Sequence, residues 1–101
     1  MSTPDPAPAE VVRLELERVV RRWQSLPLGH ALAASAGVRR LVQELADEVA
    51  TVQGLALRAV PDLGPAVLID QLRVMVHDHA QAGMDPEPLA DRLGRLRRSL
   101  P

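Results

Sequence analysis

VRLELERVVRRWQSL, residues 12–26, places its apolar side chains at the spacing of a single helix face. Five large apolar residues follow one another at alternating intervals of four and three residues: Val12, Leu16, Val19, Trp23 and Leu26. This period is typical of an amphipathic helix, and glutamates and arginines one turn apart occupy the remaining surface. We therefore predict a helix over residues 9–25, which ends before Pro27 because the residue preceding a proline avoids the α region.

The same spacing predicts a second helix over residues 36–53. Its apolar face is formed by valines and one leucine: Val38, Val42, Leu45, Val49 and Val52. Ser35 is suited to the N-cap position of this helix, and Gly54 is suited to ending it. The stretch between the first two helices, LPLGHALAASAG at residues 26–37, is predicted to be a connection that contains at most a short helical turn.

Two further helices are predicted in the second half of the chain. The third spans residues 65–83 and begins with a proline, which is favoured at the first helical position. The fourth begins at Pro86 with Asp85 as its N-cap. Its leucines follow at intervals of four and three: Leu89, Leu93, Leu96 and Leu100. Before the third helix, LALRAVPDLGP at residues 55–65 is predicted to be a connection whose leucines and Val60 pack onto the helices.

The composition favours an all-α fold. The chain has 101 residues, 47% of them hydrophobic, yet it contains no Phe, no Tyr and one Trp. Leu, Val and Ala must then form the core; Leu and Ala are strong helix formers, whereas strands are enriched in aromatic residues. Four amphipathic helices predict a small antiparallel four-helix bundle. We expect one helical-bundle domain over residues 9–101 and a disordered tail over residues 1–8, which hold three prolines.

Charge and residue usage narrow the function classes. The formal net charge is −1, so no overall positive field attracts nucleic acid. The chain has no Cys, which excludes disulfides and thiolate metal sites. All 12 basic residues are Arg, a bias typical of proteins from high-GC bacteria. The N-terminus shows no secretory signal, and no apolar run approaches the roughly 18 residues of a membrane span, so we expect a cytoplasmic protein without membrane contact.

VMVHDHAQAG, residues 74–83, holds two histidines and an aspartate in a row. On a helix, His77 and His79 lie about 200° apart, so they cannot share a metal ion. His79 continues the apolar stripe of the third helix and is predicted to close the end of the core. His77 is predicted to lie on the polar side, and His30 in a loop. We therefore predict no metal site.

Motifs for catalysis are lacking. No serine lies in a Gly-x-Ser-x-Gly turn, and no glycine-rich loop could cradle a phosphate, so we expect neither an enzyme nor a cofactor. Arginines crowd the first and last helices: Arg18, Arg21, Arg22, Arg92, Arg95, Arg97 and Arg98. Acidic neighbours can pair with these arginines, namely Glu15, Glu17 and Asp91, and no aromatic residues accompany them for base stacking. Nucleic-acid binding is therefore disfavoured.

Two apolar residues interrupt the polar side of the third helix. Val67 and Val74 are seven residues apart and share one stripe, flanked by Asp70 and His77. The first helix has a similar feature, since Val11 and Leu14 lie on its charged side. Two readings remain open for the third helix. Either the connection before it folds over the stripe, or a partner chain covers it.

These six residues form the candidate interface: Val67, Asp70, Val74, His77, Val11 and Leu14. We expect a non-enzymatic helical module for protein–protein interaction, with a second copy or another protein as its partner. Two alternatives remain open. One is a regulatory protein that contacts nucleic acid through its Arg-rich helix ends. The other is a small-molecule-binding domain with a pocket near Trp23, His30 and the first connection.

Overall fold

The structure, a computed structural model, describes residues 4–101. It contains four helices: α1 Pro8–Ser25, α2 Leu28–Val52, α3 Pro65–Gln81 and α4 Pro86–Ser99. No strand is present in this part of the chain, and the predicted all-α bundle is confirmed. Residues 4–7 have no regular secondary structure and Pro8 already begins α1. Residues 1–3 of the predicted tail lie outside the described residues.

Helix α2 is longer than predicted, and the connection expected at residues 26–37 is wrong for most of its length. Pro27 holds the N-cap position with extended backbone angles, and its carbonyl accepts the backbone N–H of Ala31 at 3.0 Å. The Ala- and Leu-rich sequence that follows has high helix propensity, and this outweighs its two glycines. Ser35 is therefore not an N-cap: it is buried inside α2, and its hydroxyl donates to the carbonyl of Ala31 at 2.7 Å.

The other helix ends agree more closely with the pattern. Gly54 follows α2 with a φ of 69°, and the next residue returns a hydrogen bond to the carbonyl of Ala50. This is the left-handed ending that glycine permits. Helix α3 stops at Gln81, two residues before the predicted limit. The carboxylate of Asp85 accepts the backbone N–H of Glu87 at 3.0 Å, as expected for the N-cap of α4.

The helices form two pairs that face each other across the core. Helices α1 and α4 run side by side in the same direction, since Val12 lies near Leu89 and Glu15 bonds Arg97. Helices α2 and α3 also share a direction, because Ala31 lies near Pro65 at one end and later residues of both helices meet at the other. The chain reverses between α1 and α2 and again between α3 and α4.

The connection over residues 53–64 makes the shared direction of α2 and α3 possible. It returns along α2 in an open conformation, held by the side chain of Gln43, which bonds the carbonyl of Arg58 at 3.0 Å and the N–H of Val60 at 2.8 Å. Gln71 of α3 donates to the carbonyl of Pro61. Twelve extended residues are long enough to span a helix the length of α2.

One core unites all four helices. Its fully buried side chains are Leu45, Leu72, Leu89, Leu93, Val19, Val38 and Val42. The buried indole of Trp23 donates to the carbonyl of Pro65 at 3.2 Å, which ties the end of α1 to the start of α3. The molecule is flat, with extents of 46 × 36 × 16 Å, and its radius of gyration of 14.1 Å exceeds the about 13 Å expected for this length. A flat shape leaves more helix surface exposed.

Candidate interaction surface on helices α2 and α3

Large apolar side chains are exposed on one half of the molecule. There are eight: Leu28, Leu32, Val52, Leu55, Leu57, Leu63, Val67 and Val74. All eight belong to α2, to the connection or to α3, which we call the apolar half. Helices α1 and α4, over their described residues, contribute none. Single exposed aliphatics are ordinary, but this one-sided distribution is not.

The predicted stripe of α3 lies on this apolar half. Val67 is 36% exposed and Val74 is 52% exposed. Asp70 and His77 lie beside them, both exposed, and Asp70 accepts a hydrogen bond from Arg73 at 3.0 Å. The structure therefore brings together four of the six predicted residues on one surface of α3.

The connection does not cover this stripe. Gln43 and Gln71 hold the connection at the side of α2 and α3, so Val74 remains open. The prediction that the leucines of the connection pack onto the helices is wrong, since Leu55 and Leu57 are 62% and 60% exposed. Val60 does pack against the core. Of the two readings of the stripe, the intramolecular one is not realised in this structure.

Val11 and Leu14 lie elsewhere. Both are half-buried on α1, and Val11 packs against the core beside Ala90 of α4. Because α1 and α3 turn their buried faces toward one core, their outer faces point away from each other. The structure therefore does not join Val11 and Leu14 to the stripe of α3.

The opposite half, formed by α1 and α4, is charged. Arg18, Arg21, Arg22 and Arg97 line a groove of about 530 Å³ with Ser25. Glu15 accepts hydrogen bonds from Arg97 at 2.6 Å and from Arg18 at 3.4 Å, as the proximity in sequence to Arg18 suggested. The guanidinium of Arg97 holds the pKa of Glu15 below its ordinary value, against the opposing effect of burial.

Glu17 of α1 and Arg92 of α4 also form ion pairs. Glu17 pairs with Arg13 at 2.7 Å rather than with a residue of the Arg-rich groove. Arg92 reaches from α4 to α2, where it bonds Glu44 at 2.9 Å and Glu48 at 3.0 Å. This pairing across helices was not apparent from the sequence, because 44 or more residues separate the partners.

The histidines diverge as predicted. His77 is exposed, whereas His79 is 4% exposed at the end of the core. Burial lowers the pKa of His79, and the nearby carboxylates of Glu48 and Asp85 oppose this effect. His30 lies in the first turn of α2, not in a loop. Within residues 4–101, no three side chains of His, Asp or Glu gather where they could hold a metal ion.

A groove lies near Trp23, as the small-molecule alternative requires. It has a volume of about 400 Å³ and lies between the end of α1 and the starts of α2 and α3. Leu28, Ala31 and Ile69 line it, whereas His30 does not. Its walls are mainly apolar, and Asp70 stands at its edge.

Sequence reasoning missed the exposed leucines at the start of α2. Leu28 and Leu32 are 68% and 55% exposed and lie one helical turn apart. Their spacing of four was a usable signal, but it carried no weight while residues 26–37 were interpreted as a connection.

Comparisons of the chain with protein-family models, with curated proteins and with solved structures found no match. None of the helices described here combines the length and hydropathy needed to cross a membrane.

Proposed function

We propose that this chain is a non-catalytic helical interaction module that self-associates through its apolar half, with Val67 and Val74 in the contact. The observation that carries this proposal is the one-sided distribution of the eight exposed large aliphatics. A chain selected only to remain a soluble monomer has no reason to confine them to α2, α3 and the segment between. An interface that is buried in the assembled protein explains this distribution.

The size of the exposed apolar surface supports the proposal. Together, the eight side chains leave on the order of several hundred Å² of apolar area in water. A standard protein interface buries about 800 Å² on each partner. At about 25 cal/mol per Å², the free energy gained by burying this area offsets much of the entropic cost of association.

The charged residues around the stripe favour a second copy as the partner. Asp70 and Arg73 form an exposed pair beside Val74 on α3. In a two-fold interface each surface meets itself, so Asp70 of one copy can approach Arg73 of the other. A rim that carries both signs is therefore self-complementary, and it surrounds an apolar centre as in known interfaces.

A double variant tests this proposal. Val67→Ser with Val74→Ser removes the apolar centre from surface positions, so we expect α1–α4 to stay folded while the dimer dissociates. Light scattering should give twice the chain mass of 11.0 kDa for the wild type at high micromolar concentration, and 11.0 kDa for the variant.

The matched control is Leu14→Ser, a change of the same kind on the outer face of α1. It should leave the dimer intact, because Leu14 lies away from the stripe. A wild type that is monomeric at high micromolar concentration contradicts the proposal. So does a double variant that is folded, by its circular dichroism, and still dimeric.

A second candidate function is contact with a nucleic-acid backbone through the Arg-rich groove. The observation in its favour is that arginines from α1 and α4, separated in sequence, share one groove with Glu15 as their acidic partner. Phosphate contacts of this kind depend strongly on salt. This function is supported if the wild type is retained on heparin and the double variant Arg21→Glu with Arg22→Glu is not. The control Arg40→Glu, on α2, should be retained as the wild type is.

A further inference from the structure

A small apolar groove lies at the end of the molecule where α1 begins, α3 ends and α4 begins. Its volume is about 200 Å³, and it is more enclosed than the grooves beside Trp23 and the arginines. Val12, Val76, Leu89 and Met84 line it. These side chains come from three helices and from the turn before α4, so the folded chain forms the groove without any partner.

His79 is the polar group in this groove. It is 4% exposed, and no group within residues 4–101 forms a hydrogen bond with its imidazole ring. The described chain contains no ring nitrogen that is both fully buried and unpartnered, so the nitrogens of His79 keep a small accessible area. His79 is one of the residues that line the groove. An imidazole that is almost wholly enclosed and has no protein partner leaves its hydrogen-bonding capacity to water or to a ligand.

The chemistry of the surroundings restricts the ligand. The walls are apolar, so the body of the ligand must be apolar too. The carboxylates of Glu48 and Asp85 act electrostatically on His79, and they disfavour an anion. Arg92 is the nearby cation, but its guanidinium already binds Glu44 and Glu48. The imidazole is neutral near pH 7 because burial lowers the pKa of His79, so it offers one N–H donor and one acceptor.

We propose that this groove binds a small uncharged molecule with an apolar body and one hydroxyl group, which hydrogen-bonds to the imidazole of His79. The available volume suits a single ring, since an engineered apolar cavity of about 150 Å³ in another protein binds benzene. The site is independent of the proposed self-association, because it is formed by α1, α3 and α4 within one chain.

Phenol and toluene are matched probes for this site. They have nearly the same size, and only phenol carries a hydroxyl group. Titration followed by ¹H–¹³C NMR should give saturable shifts of the signals of Val76, His79 and Leu89 with phenol. In His79→Leu, which keeps the side-chain volume similar, the ratio of phenol affinity to toluene affinity should fall about fivefold, as the loss of one hydrogen bond predicts. The control His77→Leu should leave this ratio unchanged.

A second variant keeps the test decisive if His79→Leu fails to fold. Ala80 is exposed and lines the groove, so Ala80→Leu fills the groove from its rim without entering the core. This variant should weaken both probes at least tenfold. The proposal is overturned if neither probe shifts these signals at millimolar concentration, or if Ala80→Leu binds both probes as the wild type does. An unchanged affinity ratio in folded His79→Leu overturns it as well.

Discussion

Glu15 is the only Asp or Glu among residues 4–101 that is buried. Its side chain is 12% exposed. It accepts a hydrogen bond from Arg97 of α4 and another from Arg18, one turn further along α1. We expect Glu15→Gln to lower the melting temperature by roughly 5 °C, since the bonds to charged donors weaken. The control Glu17→Gln removes a half-exposed pair with Arg13 and should have little effect. Equal melting temperatures for both variants would contradict this account.

The same residue predicts a pH dependence. Because the pKa of Glu15 is lowered in the folded state, its contribution to the free energy of unfolding is complete above the ordinary value of 4.5. That contribution is lost as the pH falls from 4.5 through the folded-state pKa. Urea unfolding between pH 6 and pH 3 should show a steeper loss of stability for the wild type than for Glu15→Gln. Identical slopes would show that Arg97 does not stabilise the carboxylate.

His79 predicts a separate pH dependence nearer neutrality. Burial lowers the pKa of His79 in the folded state, so the unfolded chain binds a proton first as the pH falls below 6.5. Stability is therefore complete above 6.5 and decreases as the pH falls toward the folded-state pKa. Urea unfolding at pH 7.5 and pH 5.5 should show a decrease in the wild type that is smaller in His79→Leu. His77→Leu, whose side chain is exposed, is the control and should match the wild type.

At the scale of helices, one glycine inside α2 and one glycine after it test the limits of this helix. Gly37 lies inside α2 with open space where a Cβ would stand, whereas Gly54 ends α2 at a φ of 69°. We expect Gly37→Ala to raise the free energy of unfolding by about 0.5–1 kcal/mol, because alanine restricts the unfolded chain and favours the helix. Gly54→Ala should lower it by about 1 kcal/mol, since alanine is strained at that backbone angle. Urea denaturation measures both, and a destabilised Gly37→Ala would contradict a continuous α2.

The sequence predicted the four helices, but not which of them run side by side in the same direction. The intervals of four and three along α1, along the second half of α2 and along α4 follow from burial of one face, so they are visible in any single helix. The start of α2 was missed because Gly29, Ser35 and Gly37 are typical of loops. The alanines and leucines among them favour the helix, and residues 28–37 are helical. The shared direction of α2 and α3 depends on Gln43 and Gln71, which hold the connection. Hydrogen bonds between residues far apart in sequence leave no periodic pattern in the sequence.

At the scale of the whole molecule, the exposed large aliphatics of the described residues lie only on α2, the connection and α3. The sequence predicted the stripe of Val67 and Val74, because helical spacing alone places both residues opposite the buried face. It could not predict that Leu55 and Leu57 would join the exposed set, since their exposure depends on where the connection lies. It also placed Val11 and Leu14 with the stripe as one candidate interface, although the core separates them from it.

Labels on the two halves test the central claim most directly. The chain has no Cys, so Asp70→Cys and Arg21→Cys each create one site for a spin label. Asp70 lies beside the stripe of α3, in the rim of the proposed contact, whereas Arg21 lies on the outer side of α1. In pulsed electron paramagnetic resonance at high micromolar concentration, the label at position 70 should give a defined distance between two copies. That distance should be shorter than the one found at position 21. No dipolar interaction at position 70, or a shorter distance at position 21, would contradict self-association through the apolar half.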